Sequence, residues 1–98
     1  MTLPSAPDVE AKVLTAAIND SDLAFPRLRA LALTPEHFYK PSHALIYEIA
    51  STAYDTGERL DLVLLTQRLR DLDQLDNAGG RAVVTEIATG YALSLIHI

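Results

Sequence analysis

The residues that could take part in acid–base or metal chemistry are scattered along this chain. His37 and His43 are six residues apart, whereas metal ligands on one helix favour a spacing of about three or four. The third histidine is His97, close to the C-terminal end. The helical pattern places the glutamates on solvent faces: Glu10, Glu36, Glu48, Glu58 and Glu86. We therefore predict no metal site and no pair of carboxylates tuned for acid–base catalysis.

Nucleotide binding and nucleophilic catalysis lack their sequence signatures. A phosphate-binding loop requires Gly-x-x-x-x-Gly-Lys followed by Ser or Thr, and no glycine stands in that frame. The pair Gly79-Gly80 could precede a helix N-terminus that binds an anion, but a structural turn is the favoured interpretation. The chain has no cysteine, and no serine lies in a Gly-x-Ser-x-Gly turn. We predict no catalytic and no cofactor-binding residue.

Aromatic residues could stack on the bases of single-stranded DNA, and four are candidates: Phe38, Tyr39, Tyr47 and Tyr54. Tyr47 and Tyr54 are seven residues apart, which is two turns of one helix. Packing in the core or against another subunit is therefore the favoured role for them.

The charge balance disfavours direct nucleic-acid binding as the main role. The formal net charge is -5, whereas a domain that grips phosphates is usually basic. Arg68 and Arg70 could belong to a recognition helix, but the nearby Asp71, Asp73 and Asp76 would repel phosphate. A small helical DNA-binding regulator therefore stays only as the alternative hypothesis.

Length and composition are those of one ordinary globular domain. The chain has 98 residues, of which 49% are hydrophobic and 21% are charged. No apolar run approaches the ~20 residues that span a bilayer, so we predict no membrane contact. Because the chain has no cysteine, the sequence does not indicate whether the protein resides in an oxidising or a reducing compartment, and we take the cytoplasm as the default location.

Apolar residues recur at helical spacing throughout, and no stretch alternates as a strand would. We predict an all-α, compact single-domain bundle of five or six short helices over residues 8–90. Residues 1–7 contain two prolines and are interpreted as a flexible arm. Residues 91–98 are apolar and uncapped, and we expect a truncated or non-native tail that packs poorly.

The positions of caps and helix breakers divide residues 8–90 into helices. Asp8 can cap the first helix, and Ser21 or Asp22 can cap a second over about 23–32, which Pro26 makes short or late in starting. Thr34-Pro35-Glu36 predicts one further turn that presents Phe38. A third helix starts at Pro41 and stops at Gly57. Asp61 caps the fourth, and the last spans about 81–89.

The inward faces of these helices define the predicted core. Apolar stripes include Val9 on the first helix, Leu72 on the fourth and Val83 on the last. The central core is expected to comprise Val13, Leu14, Ile18, Phe38, Leu45, Ile46, Ile49, Leu62, Leu65, Leu69, Val84 and Ile87.

Several segments, taken in order, resemble the N-terminal domain of DnaB-type replicative helicases over roughly residues 8–90. They are Glu10-Ala11-Lys12-Val13-Leu14, the block from Leu33 to His43, Leu45-Ile46-Tyr47-Glu48, the block from Gly57 to Val63, and Gly79-Gly80. The matching family positions are Glu10, Val13, Leu14, Phe38, Tyr39, Pro41, His43, Ile46, Tyr47, Asp61, Leu62, Gly79 and Gly80. The Phe-Tyr-x-Pro-x-His block joined to Gly-x-x-x-Asp-Leu is the most specific part.

The resemblance implies an all-helical assembly and protein-interaction domain without an active site. In that family the domain forms a collar on a hexameric ring and contributes to primase docking. Its partners would be other helicase subunits and primase. ATP and Mg²⁺ are expected only in a separate C-terminal RecA-like domain. In that family a long helical hairpin follows the last helix, and this sequence departs from the pattern there, with residues 91–98 instead.

Overall fold

The computed structural model describes residues 7–90, with side chains from residue 9 onward. Five α-helices and one short 3-10 helix follow each other along this range, and it contains no β-strand. They are α1 (Pro7–Asn19), α2 (Ser21–Ala30), the 3-10 helix (Pro35–His37), α3 (Pro41–Asp55), α4 (Leu62–Asp71) and α5 (Gly80–Thr89). The all-α prediction is confirmed. Residues 1–6 of the expected arm and the whole expected tail, 91–98, lie outside the described residues, whereas Pro7, placed in the arm, is the first residue of α1.

The third helix is the centre of the bundle. It packs against α1, α2, α4 and the 3-10 helix, while α5 closes the other side by packing on α1 and α4. Nine of the twelve predicted core residues are buried: Leu14, Ile18, Phe38, Ile46, Ile49, Leu65, Leu69, Val84 and Ile87. The other three, Val13, Leu45 and Leu62, are half-buried and pack against this core.

Three apolar residues that the helical stripes place inward are exposed instead. Leu72 follows the last residue of α4 and is 55% exposed, so the leucine repeat outlasts the helix. Val9 is exposed because the next residue, Glu10, takes the inward position on α1. Val83 is exposed because it precedes the buried Val84 by about 100° around α5. The stripes therefore predict the helices correctly but overestimate the width of their buried faces.

The second helix corrects the expectation that Pro26 shortens it or delays its start. It runs from Ser21 to Ala30 with Pro26 inside, and its N-cap is Asp20, whose side chain makes no capping bond. Proline inside a helix removes one backbone hydrogen bond at a cost of roughly 3 kcal/mol. Phe25 beside it is fully buried, and the burial of an aromatic side chain offsets much of that cost.

The ends of α3 and α4 agree with the caps that the sequence predicts, whereas Asp8 lies inside α1 and Ser21 and Asp22 lie inside α2. Asp61 Oδ1 accepts a hydrogen bond of 2.8 Å from the Leu64 N–H, and Pro41 is the first residue of α3. Gly57 has a left-handed φ of +76°, which allows the chain to leave α3. Thr34 precedes the 3-10 helix, and its N–H donates to His37 Nδ1 at 3.0 Å.

Two side chains of α1 satisfy carbonyl groups at the C-terminal end of α5. Thr15 Oγ1 donates to the Ile87 carbonyl at 2.7 Å, and Asn19 Nδ2 donates to the Ala88 carbonyl at 2.6 Å. The last carbonyls of a helix have no partner within it. These bonds therefore join the first and last described helices and fix the position of α1.

Candidate functional site

The carboxylate of Glu10 is completely buried between α1 and α3. Its Oε2 accepts a hydrogen bond of 2.5 Å from the Tyr39 N–H, and its Oε1 accepts a longer one of 3.4 Å from the Lys40 N–H. The same Oε1 lies 2.8 Å from Nδ1 of His43, which is also buried. This arrangement corrects the prediction that Glu10 faces solvent.

The local fold explains why these four residues meet. Glu10 shares the inward face of α1 with Leu14 and Ala17, four and seven residues later. Tyr39 and Lys40 form the extended link before α3, where their N–H groups have no helical partner. His43 lies in the first turn of α3 and so faces the same point. The Glu10 carboxylate therefore satisfies the backbone of the link and its histidine together.

The electrostatic balance of the site favours an ionised Glu10. Burial alone raises the pKa of a carboxyl group, but the hydrogen bonds from Tyr39, His43 and Lys40 outweigh it, and the pKa of Glu10 lies below its usual value. An ionised carboxylate can only accept, so Nδ1 of His43 carries the hydrogen that joins them. The pair stabilises the packing of α1 against α3.

The geometry gives Glu10 and His43 a structural role. Side-chain exposure is 0% for Glu10 and 5% for His43, and three donors already occupy the carboxylate. A catalytic carboxylate must reach the proton that it transfers, directly or through one water. Glu10 reaches only backbone and His43, so it acts as a link between helices.

A cluster of aromatic side chains fills the space between α2 and α3. Phe25 stacks on Tyr54 with 4.7 Å between ring centroids, and Tyr47 lies 5.8 Å from Phe25 and 4.9 Å from Phe38. The Tyr47 hydroxyl donates to the Leu33 carbonyl at 3.0 Å. Burial raises the pKa of Tyr47, and the nearby guanidinium of Arg29 opposes this only in part. Tyr47 is buried and packs in the core, which is the position the sequence favours for it.

The other motif residues take separate positions. Asp61 and Leu62 begin α4, whereas Gly79 and Gly80, at φ of +99° and +83°, form the turn into α5. Neither group meets the Glu10 cluster. Tyr39 contributes its backbone to that cluster while its side chain is 69% exposed, whereas Tyr54 is half-buried and Phe38 and Tyr47 are buried.

Two of the buried residues that the sequence analysis does not place in the core, Phe25 and Glu10, have different explanations. Phe25 is fully buried, but it was hidden by the assumption that Pro26 breaks the second helix. The burial of Glu10 had a usable signal, because Glu10, Leu14 and Ala17 follow the helical spacing of an inward face.

Neither a metal site nor a membrane span is found among residues 7–90. No group of three or more histidine, aspartate or glutamate side chains in this range could hold a metal ion. No helix there is both long and apolar enough to cross a bilayer. The remaining features that could act on other molecules are surface ones, above all the exposed apolar side chains Leu23, Leu31, Tyr39, Val63 and Leu72.

Comparison with known proteins agrees with the motifs. The family of DnaB-like helicase N-terminal domains has a model that matches residues 2–97. The replicative DNA helicase DnaC of Bacillus subtilis is 39% identical over 61 residues, which are 62% of this chain and 13% of that protein.

Two further relatives match over more of the chain. The replicative DNA helicase DnaB of Geobacillus stearothermophilus is 33% identical over 87% of the chain and 18% of its own length. The DnaB of Rhodothermus marinus is 32% identical over 91% of the chain and 9% of its own length. The chain thus spans less than a fifth of these relatives, and no solved structure matches it. This chain belongs to the family of DnaB-like helicase N-terminal domains.

Proposed function

We propose that this chain is a non-catalytic assembly and protein-interaction domain of a replicative DNA helicase. The observation that carries the proposal is the match of the family over residues 2–97. The use of the buried polar groups supports it, since Glu10 and His43 are occupied in joining α1 to α3. Any action on other molecules then falls to the exposed surface.

Within the proposed helicase, the domain contributes to the collar of a hexameric ring and to docking of primase. Both roles require surfaces that bind protein, and the buried core of such a surface is enriched in apolar and aromatic side chains. Exposed leucines on α2 and after α4, together with Tyr39, supply side chains of this kind. ATP hydrolysis and DNA translocation belong, in this proposal, to a different domain of the parent protein.

Sedimentation velocity over a range of concentrations tests the assembly part. We expect the weight-average sedimentation coefficient to rise with concentration, as subunits associate. A coefficient that stays at the monomer value at every concentration would count against assembly by this chain.

Fluorescence anisotropy tests the docking part. The chain, labelled at an introduced cysteine, is titrated with a purified bacterial primase, and unlabelled chain serves as the competitor. We expect saturable binding that the competitor reverses. In the same format, submicromolar binding to single-stranded DNA at physiological salt would instead support the alternative of a small DNA-binding regulator.

A further inference from the structure

Two arginines line a cleft between α4 and α5. Arg70 lies in the last turn of α4 and Arg81 in the first turn of α5. The volume of the cleft is about 370 Å³, which falls in the range of small-molecule sites, about 300–1,000 Å³. We call it the α4–α5 cleft. Its other lining residues are Leu62, Val63, Thr66, Gln67 and Asp71 of α4 and Thr85 of α5.

Neither guanidinium group of the α4–α5 cleft is neutralised by a carboxylate. Among residues 7–90, Arg70 and Arg81 form no ion pair, whereas Arg68 of the same helix is held by Glu58 at 2.6 Å. A guanidinium presents its N–H donors in a planar fork that fits the oxygens of a phosphate group. Arg81 also lies at the N-terminus of α5, where the helix dipole adds partial positive charge and the first turn holds no acidic residue. The cleft therefore offers two unused cations to an anion.

A buried hydroxyl group of the cleft has no partner. Threonine inside a helix often donates to the carbonyl four residues earlier, as Thr85 does to Arg81 at 2.7 Å. Thr66 is 7% exposed, and its hydroxyl forms no hydrogen bond within the part of the chain that the structure describes. In that part, no fully enclosed side-chain oxygen lacks a partner, so the Thr66 oxygen must be open to the cleft that it lines. A ligand in the cleft would supply the hydrogen bond that this oxygen lacks.

The aspartates near Arg70 do not cancel the positive charge of the cleft. Asp71, Asp73 and Asp76 follow Arg70 closely in the sequence and as a group disfavour phosphate, but only Asp71 lines the cleft. The cleft thus holds two cations against one carboxylate. An extended polyanion such as DNA would also meet the rest of a chain whose net charge is -5, whereas a small ligand meets mainly the cleft. The charge distribution therefore favours a small anion over a nucleic acid.

We infer that the α4–α5 cleft binds a small phosphorylated molecule, with its phosphate group between Arg70 and Arg81. The Thr66 hydroxyl and the Gln67 amide would donate to the remaining phosphate oxygens. Val63, which is 73% exposed, would contact the apolar part of the ligand. The ligand is bound and not converted, since no bond of it is formed or broken. This site goes beyond the proposed binding of proteins and does not depend on it.

Titration of the isotope-labelled full chain with inorganic pyrophosphate, followed by NMR, tests the inference. Amide signals of residues 62–71 and 80–85 should shift and saturate, with a Kd of roughly 1 mM or below. Arg70→Gln and Arg81→Gln change exposed residues, and each should weaken binding by about tenfold. Asp71→Asn removes the carboxylate of the cleft and should tighten binding. Circular dichroism verifies that each variant is folded.

Arg27→Gln on α2 is the matched control for the arginine variants. Arg27 is also exposed and, among the described residues, also forms no ion pair, so this variant should bind pyrophosphate as the wild type does. Thr66→Ser keeps the hydroxyl and should retain binding, whereas Thr66→Val should weaken it.

Two kinds of result would overturn the inference. One is the absence of a saturable shift with pyrophosphate, or equal binding by Arg70→Gln, Arg81→Gln and the control. The other is a shift of the cleft signals with single-stranded DNA but not with pyrophosphate, which would indicate a nucleic-acid surface instead. The proposed binding of proteins is unaffected by the first result.

Discussion

Oε1 of Glu10 and Nδ1 of His43 lie 2.8 Å apart, although the two residues are separated by 33 positions and sit on different helices. Both side chains are buried, so this hydrogen bond forms away from water, where an unpaired partner is costly. The bond and the two backbone donors of Tyr39 and Lys40 together fix the start of α3 on α1.

Glu10→Ala should therefore be strongly destabilising. The substitution leaves His43 and two backbone N–H groups without their acceptor, and a buried donor left unpaired costs about 1–3 kcal/mol. Urea denaturation followed by circular dichroism measures the loss. Glu86→Gln, on the exposed side of α5, is the matched control and should stay within about 0.5 kcal/mol of the wild type. A Glu10→Ala variant as stable as this control would contradict the structural role of the pair.

Stability should fall at acidic pH in a way that depends on Glu10. Its pKa is lower in the folded chain than in the unfolded chain, so the unfolded state binds the proton first as pH decreases. The stabilisation is thus present above the ordinary glutamate pKa and is lost as pH falls through the folded value. Urea midpoints measured from neutral to acidic pH should decline less steeply in Glu10→Gln.

The control for that pH profile is Glu58→Gln. Glu58 also has a lowered pKa because of Arg68 and Thr56, but it is exposed, so water weakens its contribution. The urea midpoint of Glu58→Gln should therefore fall at acidic pH almost as steeply as that of the wild type. If Glu58→Gln flattens the profile more than Glu10→Gln does, the buried pair is not the main source of the acid sensitivity.

Removal of the N-cap of α4 should cause a smaller loss of stability, which depends on the capping hydrogen bond. Asp61→Ala removes the acceptor of the Leu64 N–H and should cost about 0.5–2 kcal/mol, whereas Asp61→Asn keeps an acceptor and should cost little. Thermal melting of both variants compares them. An equal loss in the two would show that the charge of Asp61, rather than its capping bond, is what stabilises the helix.

Two leucines of one sequence repeat should respond very differently to truncation. Leu69 is fully buried and Leu72 is exposed, so Leu69→Ala should cost roughly 2–5 kcal/mol and Leu72→Ala about 0.5 kcal/mol or less. Urea denaturation at low protein concentration, where association is negligible, gives both values. Similar losses would mean that the end of α4 is packed in a way that this structure does not have.

The glycine pair before α5 allows strain and crowding to be separated. Gly79 and Gly80 both have positive φ, where a side chain is strained. A Cβ on Gly79 would also come within 2.9 Å of Val83, whereas one on Gly80 meets open space. Gly79→Ala should therefore lower the melting temperature more than Gly80→Ala. A larger fall in melting temperature for Gly80→Ala would show that the contact of the Gly79 position with Val83 is not what limits substitution in this turn.

Sequence reasoning predicts the helices well and the buried polar contacts poorly. Local signals such as Pro41, Gly57 and Asp61 mark helix ends because each acts through its own backbone or its near neighbours. Glu10 and His43 meet only through the packing of α1 on α3, which no local pattern encodes. Charged residues in a stripe are usually solvated, so the inward register of Glu10 was overlooked.

Phe25 and Leu72 are two further residues whose environment the sequence patterns do not predict. Pro26 predicts a break from local backbone chemistry, but the burial of Phe25 among aromatic rings favours a continuous α2. Leu72 continues a regular leucine spacing beyond the point where α4 ends. In the first case tertiary packing overrides local propensity, whereas α4 ends locally, where Asp73 takes a left-handed φ of +56°.

We propose that this chain acts by binding other proteins and carries out no catalysis itself. The most direct test is the rate of ATP hydrolysis by the purified chain, measured over a range of ATP and Mg²⁺ concentrations with single-stranded DNA present. We expect a rate equal to the buffer blank at every concentration, since the sequence lacks a phosphate-binding loop. Saturable hydrolysis that follows the chain through purification would contradict it.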